Sequence, residues 1–212
     1  DDPDRLVSFE GRSRLVSACI EATKCPHFGL LVGQRTRLSS LGLVGVLVKC
    51  EADLGKALRS LVRYFHLHAR GGLPTLNVQG GQAMLGYATY LPRTESVDQL
   101  GDAFLALSLN IVRELLGEDW RPSEVLFAHR RPVDVAPYRR RFHAPLRFDA
   151  EQYALVFPAE ALRYHIVSAN ADIRHLLQPQ IEALNAARPA DFPEQVRRVL
   201  RTAVLTHQAQ AE

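Results

Sequence analysis

Long apolar runs are missing from this 212-residue chain. A membrane-spanning helix needs roughly 20 consecutive apolar residues; the longest candidate, LGLVGVLVKC at 41–50, has half that length and reads as a buried helix or strand. The opening, DDPDR, lacks the basic, apolar and small-residue sequence of a signal peptide, and so unusual a start suggests a trimmed chain. Cysteine is scarce as well: Cys19, Cys25 and Cys50 form an odd set without CxxC spacing. Free thiols in a reducing cytoplasm are the expected state. Neither sign of charge dominates, since 26 Lys and Arg against 23 Asp and Glu leave a net charge of +3. So mild a basicity does not by itself imply nucleic-acid binding. The chain contains no GxSxG, HExxH, GxxxxGKS or GxGxxG, which removes the common hydrolase, metalloprotease and nucleotide-binding signatures. Internal repeats and low-complexity segments are also absent, and nothing calls for a cofactor.

What is present is a succession of amphipathic elements. Residues 9–23 carry Phe9, Val16, Cys19 and Ile20 at near-helical spacing. PHFGLLVG at 26–33 starts with a proline suited to a first helical turn and ends on a glycine. From Asp53, a good N-cap, Leu54, Leu58, Leu61, Val62 and Phe65 line one face of a helix predicted to run to Gly71-Gly72. The period then changes to two, with TLNVQ and AMLGYATY joined through Gly80-Gly81 as a hairpin. Ser96 and Gln99 have capping-box spacing and open a helix ending at Gly117. EVLFAH (124–129) and YALVFP (153–158) read as strands, with a short helix in APYRRRFHAP between them. Helices are predicted again over 171–186 and 194–205. This order gives an α+β fold, a small antiparallel sheet surrounded by several helices with a helical C-terminal segment. The proline-bearing ARPADFP at 187–193 divides it into a domain of residues 1–186 and a linker with amphipathic helix at 187–212.

ALRSLVRYFHLHARGG at 57–72 holds the densest chemistry. His66 and His68 stand two apart, so on a helix they point roughly 200° away from each other and cannot share a metal. The pattern puts His68 on the buried face, as a hydrogen-bonded core histidine or a ligand contact, and His66 with Arg59 and Arg63 on the other. Paired carboxylates are not singled out, because Asp and Glu read as caps or solvated faces. Seven arginines at 121, 130, 131, 139, 140, 141 and 147 form either a phosphate-binding patch or a solvated face with local ion pairs. The second reading is favoured, since no aromatic platform or nucleic-acid motif accompanies them. A small-molecule pocket needs an apolar lining with a few fixed polar atoms. Arg63, His68, Tyr87 and His129 are the candidate ligand-binding residues; no catalytic or metal-binding residue is assigned.

Five segments in order, PHFGLLVG, LGLVGVLVKCEADLGKALRSLVRYFHLH, AMLGYATY, WRPSEVLFAHRRP and YRRRFHAPLRFDAEQYALVFPAEAL, resemble the N-terminal effector-sensing domain of AraC/XylS-type transcriptional regulators. The branch is the arabinose-binding-like domain, distinct from the cupin sensor of the arabinose regulator. The resemblance spans about residues 8–205 and implies a cytoplasmic bacterial domain that binds a small organic effector and forms a homodimer. In that family the stretch similar to ADFPEQVRRVLRTAVL leads into a helix-turn-helix DNA-binding module; none follows here, so DNA binding is implied only through a domain outside this chain. Val196, Val199, Leu200 and Val204 make one apolar stripe, either packed on their own domain or paired with a second copy. The alternative from another class is a small cytoplasmic enzyme with an unrecognised active site.

Overall fold

A computed structural model describes residues 7–89, 96–187 and 200. Its elements are α1 (Phe9–Thr23), α2 (Phe28–Arg35), α3 (Leu43–Lys49), α4 (Leu54–Tyr64), β1 (Gly72–Gln79), β2 (Gln82–Thr89), α5 (Val97–Leu116), β3 (Glu124–Leu126), α6 (Ala136–Phe142), β4 (Leu146–Arg147), β5 (Tyr153–Pro158) and α7 (Ala171–Ala187). The α+β expectation holds: one five-stranded sheet has the order β1-β2-β5-β3-β4. Every pairing in it is antiparallel except the short β3–β4 contact, which is parallel.

The register explains the core. Leu76 pairs with Leu85, Leu85 with Leu155, Leu155 with Val125, and Val125 with Leu146. One apolar row therefore crosses all five strands, because every second residue of a strand shares a face. Leu85, Leu155 and Val125 are fully buried beneath α4 and α5. α4 supplies the matching stripe of Leu54, Ala57, Leu58 and Leu61, none of which is exposed.

α5 organises the rest. The backbone of α2 lies directly on it: a Cβ on Gly29 would stand 2.0 Å from the Gln99 carbonyl oxygen, and one on Gly33 would stand 2.1 Å from that of Ala103. Only glycine permits this approach. Gln99 accepts from the Gly29 N–H at 2.7 Å and donates to the Pro26 carbonyl at 2.9 Å. Asn110, three turns along, donates to the carbonyls of Gly33, Gln34 and Thr36. α5 thus satisfies orphan backbone groups at both ends of α2.

Several expectations change. Ser96 and Gln99 do not form a capping box: Ser96 has φ +56° with no side-chain cap, its hydroxyl pairs with Ser17 at 2.7 Å, and Gln99 serves α2 instead. The α4 helix stops at Tyr64 and passes through a 3-10 turn over Phe65–Leu67, well short of Gly71-Gly72. That break turns His68 out to an exposed position rather than into the core. The β3 strand ends at Leu126, and β4 carried too few residues to show a period. Among the described residues no single helix is long and apolar enough to cross a membrane. The predicted linker and the helix over 194–205, with Val196, Val199 and Val204, lie outside the described residues apart from Ala187 and Leu200; Leu200 is exposed.

Candidate functional site

The most polar part of the interior sits at the N-terminal end of α5. Asp98 and Asp102 are one helical turn apart, so both carboxylates leave the same face. Asp102 is fully buried and accepts twice, from the Tyr138 hydroxyl at 2.7 Å and from His129 Nε2 at 3.0 Å. Asp98, at the exposed end, accepts from the Tyr153 hydroxyl at 2.7 Å. Tyr153 reaches it across Gly101, where any Cβ would meet the tyrosine ring at 2.5 Å. Three elements beyond α5 contribute: β5 carries Tyr153, the segment after β3 carries His129, and α6 carries Tyr138. Arg141 fixes α6 to α5 by donating to the Ala106 carbonyl at 2.8 Å and to Asn110 Oδ1. Burial and the neighbouring Arg113 lower the pKa of its guanidinium to about 10.

The protonation state of His129 follows from its partners. Nε2 faces a carboxylate, and Nδ1 faces the Arg130 carbonyl at 2.7 Å. Both partners only accept, so both ring nitrogens donate and the imidazolium is the form that fits. Burial opposes the charge, but the Asp102 hydrogen bond and charge outweigh it and raise the pKa above the ordinary value. Tyr138 and Tyr153 are shifted upward as well, since burial and the adjacent carboxylates hold both phenols protonated far above the usual range. The result is a fixed arrangement of donors around two carboxylates, rigid because each member has a partner.

A cleft of about 510 Å³ opens onto this network, lined by Pro26, Asp98, Gln99, Ala128, His129, Arg130, Pro132 and Tyr138. Of the four sequence-predicted ligand contacts, His129 is at this cleft. Tyr87 is buried in the core, stacked on Phe104 at 4.4 Å, and burial raises its pKa to about 12. His68 packs edge-on against Phe65 at 6.0 Å, and desolvation with the nearby Arg12 charge lowers its pKa. Arg63 is exposed on α4 with its guanidinium 5.1 Å from the Tyr64 ring centre. Phe65 and Phe104 join His68 to Tyr87 through ring contacts, but neither of these residues, nor Arg63, lines the His129 cleft. His66 pairs with Asn185 of α7 at 2.8 Å. Among the described residues no group of three or more His, Cys, Asp or Glu is placed to hold a metal ion.

Sequence reasoning missed Asp98, Asp102, Tyr138 and Tyr153. The signal for the carboxylates was their spacing of four on a helix whose following turns are apolar; Asp102 is neither a cap nor solvated.

Comparison with known proteins places the chain first by class: its relatives are transcriptional regulators, which are not enzymes. Residues 1–166 match the family described as "Arabinose-binding domain of AraC transcription regulator, N-term", and the chain belongs to that family. The ornithine utilization regulator of Pseudomonas aeruginosa is 27% identical over 221 residues, which cover 95% of this chain and 65% of that protein. The chain thus spans just under two thirds of this relative. The crystal structure of the transcriptional regulator CdpR from Pseudomonas aeruginosa matches with a TM-score of 0.65 at 16% identity, covering 93% of this chain and 71% of the other. A likeness at that identity is one of fold.

Proposed function

We propose that the chain is the sensing and dimerisation part of an AraC-type regulator, with a small organic effector bound in the cleft beside His129. The observation that carries this reading is the convergence of Asp98, Gln99, His129, Arg130 and Tyr138 on one concave surface above the buried Asp102. Such a cleft offers few but fixed polar groups, the arrangement that small-molecule recognition requires. Asp98 and Arg130 present one group of each sign, which suits an effector carrying both an amine and a carboxylate. Ornithine, which the name of one relative contains, is the first such compound to test.

A signal reaches DNA only if the effector binds two arrangements unequally. α7 is the last described helix before the segment that leads toward a helix-turn-helix domain in this family. Among the described residues it is held to the core by the buried Ile181 and by side-chain hydrogen bonds from Arg174 to Glu51 at 2.9 Å, from Gln178 to the Tyr64 hydroxyl at 3.1 Å, and between Asn185 and His66. Ile173, Leu176 and Leu184 of the same helix are exposed, and with the apolar stripe at 196–204 they provide surface for a second copy. Native mass spectrometry of the purified chain, followed by denaturation of the same sample, tests both claims. A dimer that releases a small molecule is the expected result; an empty monomer that also fails to bind added candidates contradicts them.

A further inference from the structure

A second cleft, of about 380 Å³, lies next to the first along the chain and on different residues. Its lining is Arg131, Val135, Arg139, His143, Ala144, Pro145, Leu146 and Phe148, with no Asp or Glu among them. Consecutive arginines are therefore divided between the two clefts, Arg130 to the first and Arg131 to the second. α6 is shared in the same way, with Tyr138 at one cleft and Arg139 at the other.

The chemistry of the second cleft is of two kinds. Val135, Ala144, Pro145, Leu146 and Phe148 give an apolar wall, with Phe148 backed by Phe127 in a stacked contact at 4.8 Å. Arg131 and Arg139 are exposed, and among the described residues neither guanidinium has a carboxylate or hydrogen-bond partner. This differs from Arg141 and Arg147 nearby, which are occupied by α5 and by Glu124 at 3.8 Å. Two unpartnered guanidinium groups on one concave surface raise its positive potential, and each offers the forked donor pair that matches a carboxylate. His143 adds a further donor from a left-handed backbone position, φ +50°, where glycine would sit with less strain. A bare phosphate would leave the apolar wall unused, and an apolar molecule would leave the cations unpaired.

We propose that this cleft binds a small organic carboxylate with an apolar body, its anionic group held between Arg131 and Arg139. The site is separate from the His129 cleft, so either can fail without the other. A ligand there would press on α6 and on the segment joining the two clefts, where it can alter the first.

The test uses 3-phenylpropanoate as the probe, its neutral amide as the control, and the 212-residue chain labelled for heteronuclear NMR. Saturable shifts at residues 131–148 with the carboxylate, and at least about tenfold weaker binding of the amide, are expected. Arg131→Ala and Arg139→Ala should each weaken the carboxylate by about tenfold, whereas Arg14→Ala, an exposed arginine of α1 that lines neither cleft, should leave it unchanged. Both arginines are exposed, so the variants should keep the wild-type circular dichroism and melting temperature. Equal binding of acid and amide, equal binding of inorganic phosphate, indifference to both alanine variants, or no shift up to about 10 mM would each overturn the proposal. So would binding of duplex DNA that both variants abolish while the carboxylate does not bind, since the cations would then serve a phosphate backbone.

Discussion

Replacing Asp102 by alanine should destabilise the domain by about 3 kcal/mol. The carboxylate is fully buried and accepts two hydrogen bonds, from Tyr138 and His129; among the described residues the Tyr138 hydroxyl has no other acceptor, and His129 has only the Arg130 carbonyl on the far side of the imidazole. Hydrogen bonds to a charged group contribute about 1.5–3 kcal/mol each, so the gross loss is about 3–6 kcal/mol. Part of this returns, because the variant no longer buries a carboxylate and because His129 can shed its proton once its partner is gone. Tyr138 has no such escape: it is 2% exposed and its hydroxyl stays unsatisfied unless water enters from the cleft. For a domain of this size a loss of about 3 kcal/mol corresponds to a fall in melting temperature of about 6–12 °C. Urea denaturation followed by circular dichroism measures the loss, and a cycle with Tyr138→Phe should show a coupling of about 1–3 kcal/mol. A loss below about 1 kcal/mol, or strictly additive effects, would refute the view that this network holds α5, α6 and the segment after β3 together.

Three further outcomes follow from the same structure. The folded pKa of His129 is raised, so its contribution to stability is complete below the unfolded value of about 6.5 and is lost as pH rises through the folded value. The stability gap between wild type and His129→Gln should therefore shrink as pH rises above about 6.5 and on through the raised folded value; a gap constant with pH would contradict the charged pair. Gly29→Ala should cost about 3 kcal/mol or more, because its Cβ would meet the backbone of α5 rather than a side chain that can turn away, and an unchanged denaturation midpoint would show that α2 is free to shift. Val199→Glu combined with Leu200→Glu should leave circular dichroism intact and convert a dimer to a monomer in sedimentation analysis; an unchanged mass would remove that stripe from the interface.

The fold was largely legible because its elements are strongly periodic. The apolar stripe from Leu54 to Leu61, the two-residue alternation around Gly80-Gly81 and the long run from Leu100 to Leu115 each carry one period over many residues. Legibility failed where tertiary contacts overrode local preference. Gln99 has capping-box spacing, yet the exposed backbone donors of α2 lie within its reach and claim it. His68 keeps helical spacing on paper, but the turn at Phe65–Leu67 changes its direction. The site was legible only at His129. Its partners come from residues 98, 102, 138 and 153, and no local pattern ties positions so far apart to one another. Asp102 was discounted because an acidic residue in a helix is usually solvated, whereas here two donors from other elements make its burial tolerable. The arginine-rich segment shows the same limit: seven charges stand together in the sequence, and the fold divides five of them among a helix anchor, an ion pair and two clefts, with Arg121 and Arg140 exposed.

The central claim is that a small effector binds beside His129. A thermal-shift titration of the chain against small organic compounds, ornithine among them, tests it most directly when repeated on His129→Gln, Asp98→Asn and Arg131→Ala. The account predicts that at least one compound raises the melting temperature saturably, that the first two variants abolish the effect, and that Arg131→Ala retains it. If every compound that raises the melting temperature does so equally in His129→Gln and Asp98→Asn, the effector lies elsewhere and the account is contradicted.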